Sequence, residues 1–430
     1  MRSSVSELQV SGELLLERIT RLSSIGADPE GGVTRLAYSP EDVRARELTA
    51  DWMAAAGLEV WIDPATNLFG RLPGSDCHAP ALVTGSHLDT VVRAGPLDGP
   101  AGVVSALAAA QALRNAGTQL RRDLIVVAFS NEEGAKGTPG MVGSKAVTGA
   151  LTARDLDHVD TDGVTLSDRI RDAGGDPARI ADAAWSPERL AAFFELHIEQ
   201  GPVLHAADAR IGVVTGITGQ ISLTATVTGA ANHAGTTPMS SRQDAAVAAA
   251  RLVLAVQDLA GDGHVRVATA GTLTVGPGVR NVVPGRATVG IDIRDDCVER
   301  IQAGVDALDR WAADIAASTD TTIELHRSTV QPAVMMDQTL TGHIADSADA
   351  LGASRLTLSS GAGHDAQVMA AICPSAMIFV PSIHGISHAP TESTAPRDLV
   401  LGANVLLRAL VAADSSTRTR NFRRGQAGSV

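Results

Sequence analysis

The 430-residue chain contains no tract of about 18 consecutive apolar residues, the length a membrane-spanning helix needs, so no membrane segment is expected. Cysteine is scarce. Cys77, Cys297 and Cys373 are odd in number and far apart, which excludes a disulfide framework and a thiolate-rich zinc site and fits reduced thiols. An excess of positive charge is also missing: the formal net charge is -13, unfavourable for nucleic acid or an anionic membrane surface as partner. Glu7, Glu13, Glu17 and Arg18 interrupt the N-terminal apolar residues, so no secretory leader core is visible and the expected compartment is the cytoplasm. Internal repeats and long low-complexity segments are lacking, and the basic stretch from Arg418 to Arg424 reads as a frayed end. What remains is globular composition, 44% hydrophobic and 19% charged, in a chain long enough for two domains with buried cores.

The patterning divides the chain. Up to about Val213, helical patterns alternate with apolar strands, as parallel α/β architecture requires. Leu8, Leu15, Ile19 and Leu22 are expected on one face of a first helix. Glu47 to Ala56 reads as a second helix ended by Gly57, and Gly102 to Leu113 as a third closed by Gly117. From about Val214 to Val330 the grammar changes. A strand at Ile221–Val227 leads to a helix at Asp244–Leu259, strands at Val265–Val275 and Ala287–Arg294, a helix at Val298–Ala317 and a strand at Thr322–Leu325. That β-α-β-β-α-β order is ferredoxin-like. α/β patterning then resumes, with a strand at Ala376–Val380. The expected fold class is therefore α/β, with a mixed-sheet domain from residues 1–213 and 331–430 interrupted by an inserted α+β domain at 214–330.

Imidazoles and carboxylates gather where the strands end, the place at which open α/β sheets bind ligands. His87 follows Ala81–Thr84, and Asp89 is placed to orient its ring through the second ring nitrogen. Asp98 precedes a helix; an N-cap is the ordinary role there, but beside His87 it is also a carboxylate able to bridge two cations. Glu132 and Glu133 close the run Leu124–Ser130. Adjacent carboxylates after a buried strand are costly unless a cation or distinct protonation roles separate them, one holding metal while the other moves a proton. His197 and Glu199 share a strand face, a ligand with an acid to support it, and His388 has Glu392 nearby. Singly, each of these residues has a structural reading as a turn, a cap or a solvated pair. Together they supply a two-metal hydrolytic site. Gly137 to Lys145 has the look of a phosphate loop, but Ser144 precedes Lys145 and Ala146 follows, so the required order is missing.

Gly-Ser-His-Leu-Asp-Thr, Leu-Asp-Gly, Asn-Glu-Glu-Gly, His-Ile-Glu-Gln-Gly-Pro-Val-Leu, Asn-His-Ala-Gly-Thr-Thr-Pro-Met, Ser-Gly-Ala-Gly-His-Asp-Ala and Gly-Ile-Ser-His together resemble the amidase/hydantoinase-carbamoylase family, from about Ile19 to about Leu410. That family belongs to the dinuclear zinc aminoacylase and exopeptidase group. The resemblance implies a metallohydrolase catalytic domain with the insert as lid and dimerisation domain. It also implies two divalent metal ions per subunit, zinc or manganese, with cobalt or nickel as substitutes. The ligands implied are His87, Asp98 as bridge, Glu133, His197 and His388. Glu132 is implied as general acid/base, with Asp89 and His233 also catalytic; Gln200, His233, Asn281 and Arg294 are implied as substrate contacts, Arg294 gripping a carboxylate.

The activity this implies is hydrolysis of an N-carbamoyl (ureido) amino acid to amino acid, ammonia and carbon dioxide. Allantoate hydrolysis is the closest alternative. An aminoacylase or dipeptidase is more distant, because acidic ligands are commoner at the position of His197 in that branch. A catalytically dead binding protein would have no need of Glu132. The implied partners are a small ureido-carboxylate substrate and a second copy of the chain, bound through the insert's exposed sheet edge and delivering His233 across the interface. Two departures stand out. Pro96 and Pro100 flank Leu97-Asp98-Gly99 and stiffen that loop, and Pro277-Gly278-Val279-Arg280 replaces the family's Pro-Asn-Ala-X before Asn281, leaving substrate identity open.

Overall fold

The computed structural model describes residues 8–416; the stretch from Arg418 to Arg424 lies outside them. The chain forms two units, one comprising everything up to Thr215 and from Met336 onward, the other Gly216–Met335. In the first unit the strands are β1 (Glu59–Ile62), β2 (Leu68–Leu72), β3 (Ala81–His87), β4 (Leu124–Phe129), β5 (Leu190–Ile198) and β6 (Ile211–Ile217). The second unit contains β7 (Gly219–Thr228), β8 (Asn232–His233), β9 (Val267–Gly276), β10 (Val282–Val283), β11 (Arg286–Asp295) and β12 (Thr322–Gln331). The chain returns through β13 (Val334–Met335) to β14 (Arg355–Ser360) and β15 (Ser375–Val380).

The large sheet is mixed and runs β1-β2-β4-β3-β5-β15-β6-β13, with β14 also against β6. Its centre is parallel: β3 pairs in that sense with β4 and β5, and β5 with β15. Antiparallel β2 and β6 flank it. Every residue of β3, β4 and β15 is buried, which is why their sequences are largely apolar on both faces and do not alternate with exposed polar residues. The parallel centre aims four carboxyl ends at a single edge of the sheet.

The helix Pro100–Asn115 begins with proline at its first turn and is Ala-rich, so it lies very close to the sheet. A Cβ at Gly102 would come within 2.3 Å of the Leu196 carbonyl oxygen and 2.8 Å of Ser86 Cβ. The helix Pro396–Ser415 joins it in the same core. Among the described residues, no helix is long and apolar enough to cross a membrane, and Cys77, Cys297 and Cys373 are free.

The first two helices depart most from expectation, while the others keep their places to within two residues at either end. The first helix is Gly12–Ser23, capped by Ser11, and buries Leu15, Ile19 and Leu22; Leu8 is buried but precedes it. The second spans Pro40–Ala55, starting seven residues before Glu47. Ser39 accepts a hydrogen bond from the Asp42 amide and Pro40 opens the first turn, a start signal with little apolar periodicity behind it.

The second unit carries an antiparallel sheet in the order β12-β7-β11-β9. Alternation decides its faces. Ile221, Leu223, Ala225 and Val227 of β7 and Ala287, Val289, Ile291 and Ile293 of β11 share a core with the helices Ala245–Gly261 and Val298–Thr319. Strand β12 runs to Gln331, beyond the expected Leu325, because it pairs with β7 as far as Gln220.

The tight seat at Gly102 gives a stability prediction. Gly102→Ala should cost about 1–3 kcal/mol through overpacking, whereas Gly342→Ala, on a helix with open space around the new methyl group, should gain about 0.5–1 kcal/mol. Urea denaturation measures both; equal midpoints for the two variants would show that the helix can lift from the sheet at no cost.

Candidate metal centre

All four parallel strands deliver a candidate ligand or its loop to one place. His87 is the last residue of β3, His197 the penultimate residue of β5, Glu132 and Glu133 follow β4, and His388 lies in the loop after β15. Asp98 reaches the same place from the loop between β3 and the Pro100–Asn115 helix. Two clusters result, His87–Asp98–His197 and Asp98–Glu133–His388; within each, one donor atom per residue lies within 4.8 Å of the others. Asp98 belongs to both. Its Oδ1 is 3.6 Å from His87 Nε2 and 3.1 Å from His197 Nε2, while its Oδ2 is 3.2 Å from His388 Nε2. Glu133 Oε1 is 3.4 Å from His388 Nε2, and Glu132 Oε2 is 3.8 Å from His87 Nε2.

Local structure fixes each side chain. The N-cap of the helix is Gly99 with φ 80°, so Asp98 is free of the capping role and turns inward. A Cβ on Gly99 would stand 2.4 Å from the His87 ring, so both the backbone and the ring require glycine there. Glu392 accepts hydrogen bonds from the Leu97 amide at 2.9 Å and the Asp98 amide at 3.2 Å, and from Ser387 Oγ. It braces the Asp98 loop against the His388 loop. Behind β4, buried Arg46 donates to the Thr66, Ala128 and Phe129 carbonyls and pins the strand end that leads to Glu132.

Two supporting roles differ from those expected. The His87 Nδ1–H donates to the main-chain carbonyl of Asp89 at 3.0 Å, whereas the Asp89 carboxylate stands 3.8 Å away. That carboxylate instead accepts the Glu132 and Glu133 amides at 3.3 and 3.2 Å. Glu199 shares a strand face with His197 but caps the Val203–Ala206 helix by accepting the Val203 and Leu204 amides; His197 Nδ1 is engaged by the Ile198 carbonyl. Gln200 lies in the centre, its amide donating to Asp98 Oδ2 at 2.7 Å.

The remaining candidates sit on the second unit in two groups. His233 on β8 pairs with Val282 of β10, and the Ala234 amide donates to the Asn281 carbonyl, so His233 and Asn281 are neighbours. This turn extends beyond the Arg286 end of β11. Arg294 occupies the other end of that strand, its guanidinium paired with Asp292; at roughly 3.3 Å per residue the two groups are on the order of 25 Å apart. Arg280 is exposed.

Sequence reasoning passed over Glu195, His364 and Asp365. Glu195 is fully buried two residues before His197; a carboxylate inside an apolar strand is the signal that marks it. His364 packs edge-on against His197 with ring centroids 4.6 Å apart. Asp365 is fully buried, and burial, reinforced by Glu195, pushes its carboxyl up to about 8.

The donor set suits divalent metal. It is all imidazole and carboxylate, both β-strand histidines present Nε2 while Nδ1 is held by a carbonyl, and Glu133 Oε1 is buried without a hydrogen-bond donor. Electrostatics agree. Burial, with Glu133 adding to it, holds the Glu132 carboxyl well above its ordinary range, and burial together with Asp98 lifts Glu133 to about 7. Burial opposes ionisation of Asp98, but His197, His388 and His87 outweigh it and hold that carboxyl well below the usual range. The hydrogen bond from His388 to Asp98, with Glu133 behind it, lifts the His388 imidazole from 6.5 to about 9 in the metal-free protein.

Below pH 6.5 that imidazole is charged in folded and unfolded chains alike, so its attraction to Asp98 stabilises the metal-free fold in full and is lost as pH rises through about 9. A cation entering at pH 7 must displace this proton and part of one from Glu133, and protons held by His87 and His197 as well, whose imidazoles are raised against burial by Glu132 and Asp98. Metal binding measured calorimetrically at pH 7 in buffers of different ionisation enthalpy should report proton release that declines as pH passes 9. Buffer-independent heat at pH 7 would contradict it.

The chain matches peptidase family M20/M25/M40 over residues 83–412. It is 39% identical over 397 residues to an N-carbamoyl-L-amino acid amidohydrolase from Geobacillus stearothermophilus, covering 92% of this chain and 97% of that one. It is 37% identical to allantoate amidohydrolase from Escherichia coli (strain K12), over 91% of this chain and 95% of the other. In three dimensions it resembles a crystal structure of an amidase of the hydantoinase/carbamoylase family from Burkholderia multivorans, with a TM-score of 0.88, 36% identity, and coverage of 95% and 99% of the two chains. Sequence and fold thus agree that the chain belongs to peptidase family M20/M25/M40, among its hydantoinase/carbamoylase amidohydrolases.

Proposed function

We propose that the protein hydrolyses the C–N bond of an N-carbamoyl amino acid, yielding the amino acid, ammonia and carbon dioxide, with two zinc or manganese ions in the clusters that share Asp98. The observation that carries this reading is the pair of clusters with Glu132 beside them, close enough to His87 to face the same space. His87, Asp98, Glu133, His197 and His388 would hold the cations, which would supply water activated near neutral pH and Lewis-acid assistance to the carbamoyl group. Glu132 takes the proton of the attacking water and returns it to the leaving nitrogen, a role worth about 10² to 10⁴ in rate. Asp89 holds the Glu132 and Glu133 amides and so aims that carboxylate. Gln200, whose amide donates to Asp98 Oδ2, serves as a substrate contact in this reading. Allantoate is the second reading, supported by the similarity to an allantoate-hydrolysing relative across nearly the whole chain.

Turnover of N-carbamoyl amino acids, allantoate and N-acyl amino acids by chelator-treated protein resupplied with zinc, manganese or cobalt tests the proposal. Ureido substrates should be turned over only with metal restored; turnover confined to N-acyl amino acids would reject it.

In this reading the insert serves as lid and dimerisation domain. Arg294 grips the substrate carboxylate, while His233 and Asn281 come from the second copy of a homodimer. The support is the separation of the two groups along β11, on the order of 25 Å, which a ureido-carboxylate is too short to bridge. Mixing inactive Glu132→Gln and His233→Ala subunits under exchanging conditions should regenerate activity well above either parent. No recovery, with heterodimers confirmed by mass, would mean that each subunit uses its own His233.

A further inference from the structure

Backbone pairing between β3 and β5 stops at Thr84 opposite Phe194. His87 and His197 each lie three residues farther on. On their outer flanks both strands remain held, β3 by β4 as far as His87–Phe129 and β5 by β15 as far as Ile198–Val380. Between them, the strand ends that carry the two imidazoles have no ladder hydrogen bonds.

Glu195 occupies that gap. It is fully buried, and both carboxylate oxygens are used: Oε1 accepts from Ser86 Oγ at 2.7 Å and Oε2 from the Ala366 amide at 2.9 Å. Ser86 immediately precedes His87, and Glu195 shares a strand face with His197. The Ala366 bond anchors the short helix Asp365–Met369, whose N-cap His364 packs against the His197 ring. Burial disfavours a carboxylate inside a sheet relative to an apolar residue of similar volume. Both of its hydrogen bonds lead to elements that carry or contact a metal-ligand candidate.

We propose that Glu195 is a positioning residue: by tying Ser86 to the Asp365–Met369 helix across the open end of the β3–β5 ladder, it sets the separation of His87 and His197, and with it the cation affinity of the cluster they form with Asp98. It touches neither ion nor substrate. The inference rests on the metal-site reading given above.

Equilibrium dialysis of metal-free protein against buffered zinc, with wild type, Ser86→Ala, Glu195→Ala and Glu195→Gln, tests it. Ser86→Ala and Glu195→Ala should weaken one bound ion by about 10–100-fold, the range for lost partners of metal ligands, and leave the other nearly unchanged. Glu195→Gln can still accept the Ala366 amide and donate to Ser86 Oγ, so its affinity should remain close to that of wild type. Ser86→Ala removes one oxygen and should melt, metal-free, within a few degrees of wild type; it decides the question if Glu195→Ala does not fold. Wild-type affinity in the variants, or equal losses in Glu195→Gln and Glu195→Ala, would overturn the brace. Absence of zinc binding by wild type would remove the metal reading and the brace together, whereas normal wild-type loading with unaffected variants would remove only the brace.

Discussion

Everything at the centre depends on one carboxylate facing two ways. Asp98 must offer Oδ1 to the His87–His197 side and Oδ2 to the His388 side, and a side chain this short can do so only if its backbone is driven between the strand ends. The surrounding sequence follows from that demand. Gly99 takes a left-handed conformation flat against the His87 ring, Pro96 and Pro100 limit the loop on either side, and Glu392 accepts the Leu97 and Asp98 amides. The approach of the loop in turn dictates how closely the following helix lies to the sheet, which is why Gly102 has no room for a methyl group.

A second consequence is charge. Asp89, Asp98, Glu132, Glu133, Glu195, Asp365 and Glu392 are brought together around four imidazoles, those of His87, His197, His364 and His388, most of them buried. Without added positive charge several of these carboxyls are driven toward their protonated forms, chiefly by burial, as the raised values at Glu132, Glu133 and Asp365 record. A bound divalent cation would reverse that balance by satisfying the carboxylates together, and would thereby link its binding to the folding of this edge.

Much of the clustering was legible in the sequence, because parallel strands buried on both faces are largely apolar and the candidate ligands stand out at or just beyond their ends. His87, His197 and the Glu132–Glu133 pair could be found as polar residues ending such runs. What the sequence did not disclose was which polar group serves which. The expected Asp89 carboxylate contact with His87 is made by the Asp89 carbonyl, and Glu199, on the right face, is taken by the amides of the Val203–Ala206 helix. Strand periodicity gives the face of a side chain but not the direction of its bond. The Pro40–Ala55 helix was read short for a related reason, since its first turns are specified by Ser39 and Pro40 and not by an apolar stripe.

The site also shows why side-chain bonds multiply where the sheet ends. Strands β3 and β5 stop pairing before the imidazoles of His87 and His197, which occupy the space that a neighbouring backbone would fill. Beyond the last ladder bond the chain turns sharply: Asn131, Gln200 and His388 adopt φ values of 49°, 58° and 52°. Such left-handed conformations in residues other than glycine cost about 1–3 kcal/mol each and persist only where the surroundings over-determine them. The over-determination here is polar. Arg46 holds the carbonyls at the end of β4, the Asp89 carboxylate holds the next two amides, Ser382 Oγ receives the Gln200 amide, and Ser387 joins Asp98 to Glu392. Each is a buried or half-buried bond in place of a lost ladder bond, made by a side chain whose length and angle can be chosen residue by residue. That freedom is what lets a regular sheet end in an irregular, geometrically specified set of donors.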